Sequence, residues 1–380
     1  MEQRRKNLTQ LFIPICLETL LYMLSGMVDT LMLSSVNDQA VGAVGTANTY
    51  IGIFIIMFSV ISSGMVAVMT QNIGAGRPGV AYQARQLGLA FNAVLGVIMS
   101  LFLSLGAGTI LSGVGVADAL MQPARTYLQI VGGFCILNAL IPICSSYLRA
   151  FGFSKEPLYA SIIGNVINFC LNAFFLFVLH KGVAGVATAT VISRIINLVI
   201  VVLLGAVLVK AKQHPERESN REVMGQIIRI GLPSACETAI YNVSMTLVIR
   251  FLNQMDAQGL NVTARSYTMQ ITNFSYCVGA ALAQANAIMT GWRIGAKEYD
   301  ACDRGTRKAA IIGVIVAVIL ETMFALCSGW IMQLFSKDPQ MVSLVGKLLA
   351  IDIVLEMGRV TNLVYGQALK TSGDAVFPVV

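Results

Sequence analysis

Ten apolar runs, each long enough to cross a bilayer, leave this chain few folds to choose from. They lie near 8–34, 43–71, 86–112, 126–148, 158–180, 183–209, 227–252, 266–290, 309–334 and 343–369. A membrane-crossing helix needs about 20 mostly apolar residues. Composition agrees, since 12% of residues are charged, about half the share of a soluble domain. In a soluble protein such helices would need amphipathic partners to cover them, and the sequence supplies almost none. The first run is too long for a cleaved signal peptide and lacks a small-residue cleavage site. The expected fold class is an all-α polytopic membrane protein.

Repeated motifs organise the runs. Pro14-Ile-Cys-Leu-Glu18-Thr19 returns as Pro233-Ser-Ala-Cys-Glu237-Thr238, 219 residues later. Ile73-Gly74-Ala75 returns as Ile294-Gly295-Ala296, and Leu148-Arg149-Ala-Phe-Gly152 as Leu369-Lys370-Thr-Ser-Gly373, both at an offset of 221. Two copies of one unit in so apolar a chain point to a transporter. The expected division is 1–210 as one lobe of six helices, 211–225 as a cytoplasmic linker, and 226–380 as the second lobe. The linker holds Lys212, His214, Pro215 and Arg221. An even number of helices per unit makes the two lobes parallel repeats around a central cavity. Pro157 of the first unit is followed by two more helices, whereas its counterpart Pro378 is followed by two residues. The chain therefore reads as part of a protein with two pseudo-symmetric six-helix lobes, ending as its eleventh helix begins.

Charge sets orientation. With a cytoplasmic N-terminus, the inner segments hold 18 of the 26 Lys and Arg residues, so the net charge of +7 is a topology signal. The expected location is the cytoplasmic membrane, the partner of the basic face is the lipid bilayer, and nucleic acid is excluded. The eight cysteines are scattered without a CxxC pair, and the histidines are His180 and His214. Neither a metal site nor a disulfide framework is expected from them. Gly74-Ala-Gly76-Arg77 lacks the spacing of a nucleotide-binding loop. No catalytic constellation is present, so the chain reads as a non-enzyme without cofactor, driven by an ion gradient.

Six acids fall inside the apolar runs: Glu18, Asp29, Glu237, Glu321, Asp352 and Glu356. Each costs about 2.5–3.5 kcal/mol if charged at a helix centre. Each must therefore face a cavity, hold a proton, pair with a base or bind an ion. Glu18 and Asp29 are about three turns apart on one helix face, and Asn165, Asn168 and Asn172 share a face of another. Oxygen ligands with one carboxylate are what a hard cation needs. Pro14, Pro142 and Pro233 sit inside helices, where each removes a backbone hydrogen bond. Duplication gives Pro14 and Pro233 the stronger case for a mechanical role.

Val28-Asp29-Thr30-Leu-Met32, Gln71-Asn-Ile-Gly74-Ala75-Gly-Arg77 and Leu148-Arg149-x-x-Gly152 resemble motifs of the multidrug and toxin extrusion (MATE) transporters. Gly231-Leu-Pro233-x-x-x-Glu237 and Leu369-Lys370-x-x-Gly373-Asp374 extend the resemblance along the whole chain. It implies an antiporter that exports small cationic, amphipathic compounds in exchange for Na⁺ or H⁺ by alternating access. It also implies that Asp29, with Asn168 and Asn172, forms a coupling site in the first lobe, while Asn138 and Thr190 are candidate further oxygen donors. Asn172 stands where many relatives have Asp. In the second lobe Glu237 matches a coupling acid, and Glu18 is its repeat partner. Where relatives carry an acid in the tenth helix this chain has Arg359, so Glu356 is either a displaced site residue or an ion-pair partner. Two lobes let a complete monomer work alone. The alternatives are a flippase for lipid-linked sugars, disfavoured by the acidic buried residues, and a non-transporting receptor or subunit.

Overall fold

A computed structural model of the chain describes residues 6–35, 38–113, 116–209, 216–255, 260–333 and 338–379; among these it is helical, without strands. In chain order the helices are α1 (Leu8–Ser34), α2 (Asp38–Gly74), α3 (Pro78–Leu105), α4 (Ala107–Gly113), α5 (Asp118–Tyr127), α6 (Ile136–Ala150), α7 (Lys155–Ala173), α8 (Gly182–Leu208), α9 (Asn220–Met255), α10 (Leu260–Gly295), α11 (Tyr299–Leu326), α12 (Ser328–Met332) and α13 (Pro339–Ser372). Short π-helical stretches extend α5 at Leu128–Gly132 and α7 at Phe174–Val178.

Each expected apolar run is occupied by one of these helices or by a broken pair. Among the described residues six are long and apolar enough to span a membrane outright, and α5 with α6, bent by 43°, adds a seventh if the pair is one span. The bend lies at the π stretch and Gly132-Gly133, whereas Pro14, Pro142 and Pro233 sit within continuous helices. The remaining long helices α9, α10 and α13 have 36, 36 and 34 residues. At 1.5 Å per residue they exceed the roughly 30 Å hydrocarbon core, and polar residues accumulate along their length.

Helix α9 begins inside the segment 211–225 expected as a linker. Residues 210–215, including Lys212, His214 and Pro215, lie outside the described residues. Helix α9 already begins at Asn220, so the last residues of 211–225 are helical. Gln83 of α3 explains this. Its amide donates to the Glu218 carbonyl at 2.7 Å and to Asn220 Oδ1 at 2.6 Å, and accepts from the Glu218 N–H at 3.1 Å. Arg77 adds an ion pair to Glu218 at 2.5 Å.

Two of the three repeated motifs are helix stops. After α6, the Phe153 N–H reaches the Leu148 carbonyl at 2.9 Å and the Gly152 N–H reaches that of Arg149 at 2.9 Å. After α13, Asp374 and Gly373 make the same two bonds to Leu369 and Lys370, at 3.0 and 3.2 Å. The ends of α2 and α10 repeat the pattern, Arg77 to Asn72 and Gly76 to Ile73 being matched by Glu298 to Arg293 and Lys297 to Ile294. This double bond is the Schellman stop, which needs a left-handed residue. Gly76, Gly152 and Gly373 supply it at φ 74°, 87° and 107°, but in the fourth case it is Lys297, at φ 60°. A side chain costs about 1–2 kcal/mol there. Lys297→Gly is therefore expected to raise thermal stability by about 1 kcal/mol, read as a higher unfolding midpoint in detergent.

The end of the bundle that carries these stops is closed by reciprocal contacts. Gln71 Nε2 of α2 donates to the Thr371 carbonyl of α13 at 2.6 Å. Its counterpart at offset 221, Trp292 Nε1 of α10, donates to the Ala150 carbonyl of α6 at 2.8 Å. Gly74 lies against the Trp292 carbonyl and Gly295 against the Gln71 carbonyl, each too close to admit a Cβ. Gly64 and Gly231 allow α2 and α9 the same close approach. Inside this seam Met65, Met69, Tyr147 and Leu148 pack with Ile227 and Ile230, while Leu11 and Ile15 of α1 pack on Ala281 and Ala285 of α10. On the outer faces, Val94, Ile98, Leu101 and Leu105 of α3 form an exposed stripe, as do Ile311, Ile315 and Ile319 of α11. Helical spacing of exposed aliphatic residues is what a lipid-facing surface requires.

Candidate functional site

Asp29 lies near the end of α1, partly buried where α1 crosses α7. Asn172 Nδ2 donates to Asp29 Oδ1 at 2.6 Å and to Asn168 Oδ1 at 3.2 Å. Asn168 and Asn172 are one turn apart and both buried. The predicted acid and its two amides are thus brought together, and Asn172 Oδ1 remains buried without a donor. Asn165 joins the same face with its Nδ2 unsatisfied. The π stretch begins two residues after Asn172, a distortion common at functional sites.

A basic residue completes this corner. Arg194 of α8 acts electrostatically on Asp29 and also on the buried Tyr127. Sequence reasoning passed over it, although it is the one charged residue in the apolar stretch Gly182–Leu208. Thr190, on the same helix, turns its hydroxyl back to the Val186 carbonyl at 2.9 Å. The Asn138 Nδ2 is buried without a hydrogen-bond acceptor of normal geometry. Among the described residues, neither Thr190 nor Asn138 hydrogen-bonds to Asp29.

Glu18 and Glu237 sit elsewhere and are built alike. Arg149 reaches from the last turn of α6 to Glu18 Oε2 at 2.6 Å, and its other branch donates to Gln284 Oε1 of α10 at 3.0 Å. Lys370, in the last turn of α13, pairs with Glu237 of α9. Each repeat thus ties the acid of its first helix to the base of its Leu-Arg or Leu-Lys motif. The spacing in sequence showed acid and base separately, and only the packing shows that they are one pair.

The remaining acids converge as well. Glu321 of α11 and Asp352 and Glu356 of α13 are buried with carboxylate oxygens within 4.8 Å of one another. Arg359 pairs with Glu356 at 2.8 Å, one turn away on α13, as the sequence anticipated. Both Glu321 oxygens and one Asp352 oxygen lack a hydrogen bond. Glu321, which had no assigned partner in the sequence, is the member that turns an ion pair into a cluster. The expectation of no metal site rested on Cys and His and did not weigh carboxylates.

The sequence and the helical fold both have counterparts among known proteins. The MatE family model matches residues 14–174 and 233–380, one segment for each repeat. The chain belongs to the MatE family. Uncharacterized transporter YisQ of Bacillus subtilis is 32% identical over 372 residues, 96% of this chain and 81% of its own length. The probable multidrug resistance protein NorM of Thermotoga maritima is 23% identical, over 99% of this chain and 82% of its own. Among solved structures, a MATE in the bent conformation superposes with a TM-score of 0.88 at 17% identity, covering 98% of this chain and 83% of that one. A MATE transporter of Vibrio cholerae, VcmN, superposes at 0.89 and 18%, covering 98% and 84%. This MatE protein is therefore a polytopic membrane transporter with the MATE fold.

Proposed function

We propose that this chain is the core of a multidrug antiporter that exports cationic amphipathic compounds in exchange for Na⁺ or H⁺. The two lobes are residues 1–210 and 226–380, the N-terminus is cytoplasmic, and the closed basic end faces the cytoplasm. The observation that carries the reading is Asp29 held by Asn172 and faced by Arg194. A carboxylate clamped by amides is ready to take a cation, and Arg194 supplies the charge that returns when the cation leaves. Glu18 and Glu237 already pair with internal cations, Arg149 and Lys370, whereas Asp29 is held by a neutral amide. The latches would re-form each time the cytoplasmic end closes. Relatives described as probable multidrug resistance proteins support the substrate class. Asn168 lends a second oxygen.

The test uses proteoliposomes loaded with a fluorescent cationic dye, with Na⁺ and pH gradients imposed separately. Efflux is expected under one gradient, and Asp29→Asn should lower its rate at least about tenfold, the worth of about 1.4 kcal/mol. Unchanged efflux in the variant rejects Asp29 as the coupling acid. Failure of folded protein under both gradients moves the assignment to a lipid-linked sugar flippase, for which Arg194 would be the anion-facing group.

A further inference from the structure

We infer that Arg85 and Tyr147 form a binding site for a phosphate group, at the end of the first lobe that carries the helix stops. Arg85 lies about two turns into α3 and is half-buried. Its guanidinium carbon stands 4.5 Å from the ring centre of Tyr147, on α6, and 5.9 Å from that of Tyr82. Both distances are those of a cation–π contact. The rings steady the positive charge but leave the guanidinium without a counter-charge. Among the described residues no acid pairs with Arg85, and its Nε is buried without an acceptor. The Cys144 thiol beside it offers only a weakly accepting sulfur. A half-desolvated cation in this state lacks an anion.

Tyr147 points to the ligand independently. It is 1% exposed, and its hydroxyl is buried without a hydrogen-bond partner. Phe151 meets its ring edge-on at 5.1 Å, which fixes the ring and the hydroxyl with it. Arginine N–H groups and a phenol O–H are donors, and one tetrahedral phosphate has oxygens enough to accept from both. The second lobe shows that the fold does not require this pair. At the repeat offset of 221, Thr306 stands in the place of Arg85 and Ala368 in that of Tyr147. Thr306 is buried, accepts from Asn286 Nδ2 at 3.3 Å and has the Thr290 hydroxyl at 3.5 Å. There the polar group is satisfied inside the protein, whereas in the first lobe two donors are left open. The accessible part of Arg85 gives an anion its way in. The phosphate can belong to an anionic phospholipid headgroup, which basic pockets between membrane helices take up, or to free phosphate. The site does not depend on the transport reading.

The experiment is thermal unfolding of delipidated, detergent-purified protein at constant ionic strength. Phosphatidylglycerol, phosphatidylcholine, inorganic phosphate and chloride are titrated in turn. Phosphatidylglycerol or phosphate should raise the midpoint saturably, by about 3 °C at one hundred times its Kd. A rise with the lipid alone names the headgroup as the source, and a rise with phosphate names the free anion. Arg85→Met should abolish the rise. Tyr147→Phe keeps the stacked ring and removes only an unpartnered hydroxyl, so its ligand-free midpoint should equal or exceed that of the natural chain. Its apparent Kd should nevertheless be about tenfold weaker, the worth of about 1.4 kcal/mol. That variant separates loss of the ligand from loss of the fold. The proposal is overturned if neither phosphatidylglycerol nor phosphate shifts the midpoint, or if phosphatidylcholine or chloride does so equally. It is also overturned if the shift survives in Arg85→Met, or if Tyr147→Phe binds as tightly as the natural chain.

Discussion

Replacing Gly74 and Gly295 together by Ala should open the basic end of the bundle. Alanine normally stabilises a helix interior by about 0.5–1 kcal/mol over glycine. Here the opposite sign is expected, because each new Cβ would meet a backbone carbonyl across the seam, that of Trp292 or of Gln71. A carbonyl held within a helix cannot turn aside as a flexible side chain does. Overpacking of this kind costs about 1–3 kcal/mol per site, charged only to the closed arrangement. The cost at one site alone moves a two-state equilibrium by roughly 5- to 150-fold, and the two sites together by more. Spin labels at Arg77→Cys and Tyr299→Cys, on a background without native cysteines, would report it. The expected result is a distance distribution shifted to longer values, with dye transport slowed. An unchanged distribution would show that the seam yields elsewhere and that these glycines do not gate it.

The second large effect is expected at Arg149. Its side chain and that of Glu18 are 10% and 17% exposed, so Arg149→Met strands a buried carboxylate and also leaves Gln284 without its donor. Removing one partner of a buried pair costs about 3–5 kcal/mol. Adding Glu18→Gln should recover most of that loss, because the double variant no longer holds an unpaired charge. Lys370→Met should cost less, since Glu237 is more accessible at 29% and can take solvent in place of the base. Unfolding midpoints of the two single variants and the double variant form the cycle. Equal losses at Arg149 and Lys370, or no recovery in the double, would contradict the assignment of Glu18–Arg149 as the more deeply buried latch.

Much of this architecture was legible in the chain itself. The apolar runs locate the long helices because an uninterrupted apolar stretch of that length has no other stable arrangement in a bilayer. The repeat was legible because backbone geometry demands particular residues: Gly152 and Gly373 stand where a helix must turn left-handed to stop. Lys297 shows the limit of that logic, since its position was visible only as part of a repeated triplet, and its left-handed backbone was not. The helical start of α9 within 211–225 was not legible for a similar reason. Polar residues look like loop when the side chain that anchors them, Gln83, lies more than a hundred residues away in sequence.

At the candidate sites the division is sharper. Asp29, Asn168 and Asn172 were readable because periodicity puts the two amides on one face of α7 and makes an intramembrane acid costly. Their meeting was not readable, since it depends on how α1 crosses α7. Sequence alone determined the membrane class, the repeat, the helix stops and which polar residues the bilayer could not tolerate unpaired. Only the tertiary structure decided the neighbours: Arg149 for Glu18, Lys370 for Glu237, Asn172 for Asp29, and Asp352 and Glu356 beside Glu321. Hydrophobic burial and helix periodicity act over a few turns and are written locally. Charge pairing inside a membrane acts between helices, and its outcome is settled only when those helices pack.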